Sequence, residues 1–242
     1  MADGVQHRKI EGHTLYSAHL QEERNLKVFL PPDYDEGRRY PVLYCHDGLE
    51  FFTHGRIATI AHEMILAGRL HPLIIVGIAV SRTHRTDDYA LSGNRHEAYR
   101  QFVVDECLPY IHAHYAEDES QRDMAGISLG AVATLSLFLH HPGIFRNLML
   151  FSGAYYEDVR AFVQSFGSLS QFHGYLAIGR QETAVETPHG SFDFYRYHLQ
   201  MRDILRIRGA KIEVQEADGT HIWGLWQRLL PDALVWLRAQ QA

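Results

Sequence analysis

The chain has 242 residues, 46% of them hydrophobic and 21% charged, with a formal net charge of −6. That length admits one large α/β domain or two small ones, with enough apolar residues for a substantial core. The acidic balance argues against nucleic acid as a partner. No apolar run reaches the length of a membrane span. The polar residues 1–11 carry no signal-peptide core, so the expected location is the cytoplasm. The two cysteines, Cys45 and Cys107, lie in apolar stretches and read as buried thiols rather than a bridge.

In chain order, residues 12–30 read as a β-hairpin closed by Pro31-Pro32, and 40–45 as a continuous apolar strand. Residues 57–67 are helical, with Gly68 as the stop. Residues 73–80 form a β-branched strand, and 96–115 a long amphipathic helix bent near Pro109. A strand at 122–127 leads into a helix at 129–140, which His141-Pro142-Gly143 ends. Strand 148–151, helix 155–166, strand 175–178, helix 192–208, strand 211–215 and helix 222–238 complete the pattern. This alternation predicts a mostly parallel central sheet with helices on both faces, in one α/β domain over residues 1–242 that includes the 12–30 hairpin. The stretch between strands 148–151 and 175–178 is too short for a large lid domain, so the site is expected to be open.

The most specific motif is Gly126-Ile127-Ser128-Leu129-Gly130, a Gly-x-Ser-x-Gly set between an apolar strand and an Ala/Leu-rich helix. A serine at a sharp strand-to-helix turn is the nucleophile elbow of the α/β-hydrolases. The glycines relieve crowding at the turn. The elbow places the Leu129 amide at a helix N-terminus, where it can stabilise an oxyanion.

A serine hydroxyl is a poor nucleophile near neutral pH and needs a base, which in turn needs an orienting acid. In this fold the chain order is serine, acid, histidine. The histidines after Ser128 are His140, His141, His173, His189, His198 and His221. His221 follows the last predicted strand and its loop, immediately before the final helix, and is the expected base. Glu182, after strand 175–178 and the turn Gly179-Arg180-Gln181, is the expected acid, at the strand end where open α/β sheets bind ligands. Asp158 and Asp218 compete with it; Asp218 suits a turn with Gly219. The loop His46-Asp47-Gly48-Leu49-Glu50 follows strand 40–45, and the Leu49 amide is the candidate second oxyanion donor beside that of Leu129.

Seventeen histidines raise the question of a metal, but His62-Glu63, His112 and His114, and His140-His141 have no zinc-site spacing. No metal and no cofactor is expected. Phe51, Phe52, Tyr155, Tyr156, Trp223 and Trp226 lie near sheet-top loops as candidates to line a substrate pocket, with Phe51, Tyr155, Trp223 and Arg85 the preferred contacts. Arg56, Arg82, Arg85 and Arg95 form either a basic rim for an anionic substrate or scattered pairs with Asp87, Asp88 and Glu97.

One set of motifs runs through nearly the whole chain: Val28-Phe29-Leu30-Pro31-Pro32-Asp33-Tyr34, Tyr40-Pro41-Val42-Leu43-Tyr44, His46-Asp47-Gly48, Ala125-Gly126-Ile127-Ser128-Leu129-Gly130, His141-Pro142 with Phe145, Ser152-Gly153, and Gly219-Thr220-His221 with Trp226. Together they resemble the "Putative esterase" family, which includes enterochelin esterases, esterase D (S-formylglutathione hydrolase), feruloyl esterase domains and mycolyltransferases. The likeness is greatest to the enterochelin-esterase-like branch, with Ala131 where many relatives have a second glycine. The resemblance implies an α/β-hydrolase fold with Ser128 as nucleophile, Glu182 as acid and His221 as base. The expected function is hydrolysis of short-chain or small soluble esters through an acyl-enzyme. A siderophore trilactone esterase, an S-formylglutathione hydrolase-like thioesterase, an acyltransferase and a non-catalytic binding protein are the alternatives. The expected partners are a small-molecule ester and, at most, a second copy of the chain in a homodimer, with no nucleic acid and no membrane.

Overall fold

A computed structural model describes residues 8–240. The polar start read for a signal peptide lies largely outside the described residues. Strands β1 (Lys9–Ser17) and β2 (Glu22–Leu30) form the hairpin, followed by β3 (Tyr40–Cys45), helices α1 (Gly48–Thr53) and α2 (Ile57–Leu66), and β4 (Ile74–Ile78). Then come α3 (Arg85–Tyr89), α4 (His96–Gln101), a π-helical stretch (Phe102–Cys107) and α5 (Leu108–His114). Next are β5 (Glu117–Ile127), α6 (Leu129–His140), β6 (Asn147–Phe151), α7 (Glu157–Ser165) and β7 (His173–Gly179). The chain ends with the short hairpin β8 (Val185–Thr187) and β9 (Gly190–Phe192), then α8 (Phe194–Ile207), β10 (Lys211–Ala217) and α9 (Trp223–Gln240).

Eight strands make one sheet in the order β1-β2-β4-β3-β5-β6-β7-β10. The pairs β1–β2 and β2–β4 are antiparallel, and the remaining pairs are parallel. With helices on both sides, this is the α/β-hydrolase fold. Strands β4 and β6 are buried throughout, as a sheet covered on both faces requires. Alternate residues feed two cores. Tyr44, Val76, Met124, Leu150 and Leu176 pack under α4 to α8, while Leu43, Ile75, Ala125, Phe151 and Ala177 pack against α2 and α9. Helix α6 is apolar almost all round and buried from Gly130 to Leu139, so it lies in the interior. Its first turn therefore has a fixed position relative to the sheet.

Several boundaries differ from the sequence reading, each for a local reason. Strand β5 begins five residues early because Glu117 is buried, accepts from Tyr44 Oη at 2.6 Å and is gripped by Arg122 at 2.8 and 2.9 Å. The irregularity expected at Pro109 lies just before it, as the π-helical stretch. Pro109 has no N–H, and its ring crowds the carbonyl one turn back, so the preceding backbone widens. Helix α7 starts two residues later than expected, which leaves Tyr155 and Tyr156 outside the helix, in the segment that follows β6. The elements α1, α3 and β8–β9 are additional to the sequence reading, which starts a helix at 192, the last residue of β9; at three to six residues each they are too short to show a period. Cys45 and Cys107 are buried free thiols. Among the described residues no helix is long and apolar enough to cross a membrane.

Candidate active site

The carboxyl ends of β3, β5, β6, β7 and β10 meet at one edge of the sheet, where strand order reverses on either side of β3 and β5. Ser128 joins β5 to α6 with φ 55° and ψ −118°, a conformation strained for a non-glycine residue. The flanking glycines make the turn feasible. A Cβ on Gly126 would lie 2.2 Å from the Gly130 carbonyl oxygen, and one on Gly130 would lie 3.1 Å from Asp47 Oδ2. The turn is held by Ser128 N–H donating to the Phe151 carbonyl at 2.9 Å and Ala154 N–H donating to the Ser128 carbonyl at 3.0 Å.

The loop after β10 delivers His221, whose Nε2 lies 3.0 Å from Ser128 Oγ. Its Nδ1 lies 2.6 Å from Glu182 Oε2, in the loop after β7. A carboxylate only accepts, so Nδ1 carries the proton and Nε2 is free to accept from the serine hydroxyl. Glu182 is fully buried. Its second oxygen, Oε1, accepts from Gly179 N–H at 2.8 Å and from Ser152 Oγ at 2.6 Å. Trp226 Nε1–H donates to Ser152 Oγ at 2.8 Å, which directs the Ser152 hydroxyl proton toward Glu182. Mutual bonds between Gln181 and Gly219 tie the loop of Glu182 to the loop of His221. The Ser152–Trp226 support went unread from sequence as a function; its only trace was that both residues belong to the motif set above. Of the rival acids, Asp158 is exposed at the start of α7, and Asp218 is exposed and paired with Arg180 at 3.2 Å.

The loop after β3 is pinned on three sides. Asp47 has left-handed backbone (φ 51°), and its N–H donates to Tyr89 Oη at 3.0 Å. Arg85 grips its carboxylate with a two-pronged fork, Nε to Oδ1 at 2.7 Å and Nη2 to Oδ2 at 2.8 Å. Gly48 presses on β4 so closely that a Cβ would lie 2.1 Å from the Gly77 carbonyl carbon. Leu49 is the second residue of α1, so its amide has no acceptor within the helix, as is true of Leu129 at the first position of α6. Below the loop, burial pushes the His46 imidazole down to about 3, so it stays neutral beside Tyr99 Oη at 2.7 Å.

Above Ser128 and His221 lies a groove of about 780 Å³. One wall is α3 and the residues after it; the other is the start of α7 together with the β8–β9 hairpin. Three expected contacts are corrected. Phe51 and Tyr155 are fully buried in the two cores and do not line the groove. Tyr155 folds its ring under Gly153, where a Cβ would lie 2.1 Å from Cζ, and the neighbouring Tyr156 takes the groove position instead. Trp223 packs edge-on against Phe51 at 5.4 Å and Trp226 at 5.3 Å, sealing α9 to α1 outside the groove. Arg85 does line it, with its charge engaged by Asp47. The basic rim does not form: Arg95 is bound to Asp88 and Glu22, each at 2.8 Å, and Arg82 is 91% exposed. Away from the site, His112, Glu117 and Glu119 cluster, but Arg122 already supplies their cation.

The sheet order, the strained serine turn and the hydrogen-bonded line Ser128–His221–Glu182 are the arrangement expected of the α/β-hydrolase fold. The "Putative esterase" family model matches residues 17–237, and the chain belongs to that family of carboxylic-ester hydrolases. It is 28% identical over 229 residues to the uncharacterised protein YjcH of Bacillus subtilis (strain 168), covering 93% of this chain and 95% of that one. It is 27% identical over 170 residues to the endo-1,4-beta-xylanase/feruloyl esterase of Xylanibacter ruminicola, of which the match spans 23%. Among solved structures it resembles a ferulic acid esterase (TM-score 0.75, 20% identity, 96% of this chain and 98% of that chain). It also resembles the enterobactin esterase FES from Shigella flexneri in the presence of enterobactin (TM-score 0.83, 19% identity, 97% of this chain and 60% of that chain). These structural likenesses speak to the fold.

Proposed function

We propose that the chain hydrolyses small soluble carboxylic esters through a covalent acyl-enzyme on Ser128. The observation that carries this is the continuous hydrogen-bonded line from Ser128 Oγ through His221 to Glu182, at 3.0 and 2.6 Å. His221 Nε2 takes the serine proton as Oγ attacks the ester carbonyl, and the Glu182 carboxylate stabilises the imidazolium that forms. The Leu49 and Leu129 amides, each at the start of a helix, receive the developing oxyanion. His221 then returns the proton to the departing alcohol. Water, activated by the same nitrogen, cleaves the acyl-enzyme. A panel of p-nitrophenyl esters from acetate to laurate, run beside a feruloyl ester, S-formylglutathione and a ferric trilactone siderophore, tests the reading. A burst of p-nitrophenol equal to the enzyme concentration marks the acyl-enzyme; no turnover on any member of the panel overturns it.

Acyl length is the second outcome of that panel. Each methylene contributes about 0.8 kcal/mol only where it leaves water completely. A groove bounded by α3 and a short hairpin leaves one side of a long chain wet. The highest kcat/KM is therefore expected on acetyl to butyryl esters, with a steep fall by octanoate. Preference for laurate contradicts this.

The Arg85–Asp47 fork sets the position of the proposed Leu49 donor. Arg85→Lys keeps the charge and loses the two-pronged geometry. The expected result is a kcat lower by about tenfold with KM little changed, because an oxyanion donor acts mainly in the transition state. A rise in KM at constant kcat assigns Arg85 to substrate binding instead.

A further inference from the structure

The groove walls carry a charge pattern that the proposed chemistry does not use. Asp87 on α3, Glu157 and Asp158 on the first turn of α7, and Glu186 on β8 all line it. None of the four has an ion-pair partner among the described residues. The start of a helix favours carboxylates at 157 and 158, but no such reason applies to Glu186 in a strand. Arg85, held in the Asp47 fork, is the only arginine or lysine among the lining residues. On the same wall as Glu157, Asp158 and Glu186 stand three aromatic rings. The Tyr156 centroid is 4.9 Å from that of Phe192 and 6.4 Å from that of Tyr197, and Phe192 is 6.5 Å from Tyr197. Burial, together with the neighbouring Tyr197 and Asp158, raises the Tyr156 phenol, so it remains a neutral ring. One cation already uses this cluster, since the Arg160 guanidinium lies 4.6 Å over the Tyr197 ring.

We infer that the groove selects esters bearing a cationic ammonium group, because unpaired carboxylates and aromatic faces converge on one wall within the cavity that holds Ser128. The inference rests on the ester-hydrolase reading and adds the substrate's charge to it. Carboxylates attract an ammonium through space, and the ring faces attract it by their quadrupoles. The same wall repels a carboxylate or catecholate and gives a neutral isostere only apolar contact. The selected group lies on whichever part of the ester, acyl or alcohol, faces the β8–β9 hairpin.

The test compares choline acetate, its neutral isostere 3,3-dimethylbutyl acetate and the anionic 4-acetoxybutanoate, by titration of the released acid at low and high ionic strength. The expected order of kcat/KM is cationic, neutral, anionic. The cationic-to-neutral ratio is expected to be about tenfold at low salt and to shrink to about twofold in molar salt, as for partly exposed charges. In the triple variant Glu157→Gln, Asp158→Asn, Glu186→Gln the ratio is expected to approach one, whereas Glu186→Asp retains it. Because the readout is a ratio, a general loss of activity cancels. A wild-type ratio near one, an unchanged ratio in the triple variant, or preference for the anionic ester overturns the inference. Calorimetric binding of tetraethylammonium to Ser128→Ala reads the same selection without turnover. Binding weakened by the triple variant is the expected result, and no binding counts against the inference. If no ester is cleaved yet the ammonium binds, the hydrolase reading falls and the charge selection stands.

Discussion

Ser128→Ala is expected to lower kcat by about 10⁴-fold or more while the protein stays folded, since the hydroxyl is the group proposed to form the acyl-enzyme. The alanine fits the same turn: Ser128 is only half-buried, and its hydroxyl has His221 as its hydrogen-bond partner. The strained φ of 55° remains, so the loss is chemical rather than structural. His221→Ala is expected to match it, because an unactivated hydroxyl at neutral pH attacks hardly at all. The double variant should be little worse than either single one, as in groups that act as a unit. Steady-state rates of the three variants, with circular dichroism as the folding control, check this. Losses that multiply in the double variant would falsify the pairing, and so would residual turnover above a few per cent in Ser128→Ala.

The second large effect belongs to Glu182, the proposed acid. Glu182→Gln is expected to cost about 10²–10⁴-fold in kcat, because the imidazolium loses its charged partner and the amide can present the wrong hydrogen-bonding face to Nδ1. The surroundings add to this. Glu182 receives three donors, from His221, Ser152 and Gly179, and an amide NH₂ in its place turns at least one of them into a donor facing a donor. Ser152→Ala is the companion measurement. It removes one donor from Glu182 and strands Trp226 Nε1, so a smaller loss in kcat is expected together with some loss of stability. Asp158→Asn serves as the control. If it cripples turnover on a neutral ester while Glu182→Gln stays near wild type, the acid is misassigned.

Much of this was legible in the chain because the signals are short-range. Short apolar runs such as 73–80 and 148–151 mark strands, and the glycine spacing around Ser128 marks the turn. The position of Glu182 and His221 after successive strands follows from counting elements. What was not legible depends on partners far apart in sequence. Arg85 and Asp47 are 38 residues apart, and Ser152 and Trp226 are 74 apart. Neither pair leaves a local pattern, so the sequence offers Arg85 as a rim charge or as a partner of Asp87, Asp88 or Glu97 rather than of Asp47, and Ser152 only as a motif residue. Phe51 and Tyr155 were misplaced for a related reason. An aromatic residue near a sheet-top loop faces either the cavity or the core, and the choice is made by what packs on it. For Tyr155 that choice depends on the missing side chain of Gly153.

The two walls of the groove are anchored very differently. Helix α3 is bolted through the Arg85 fork to the loop that bears the proposed oxyanion donor, so a change in its length is expected to shift that donor. The β8–β9 hairpin closes on itself through its own ladder and the Thr187–Gly190 bond, and supplies no atom to the Ser128–His221–Glu182 relay. On the proposed reading, changes in the length or charge of the hairpin are expected to alter which esters are accepted while the Ser128–His221–Glu182 hydrogen bonds pass unchanged to descendants of this chain. Substitutions at Asp47 or Arg85 do not have that freedom.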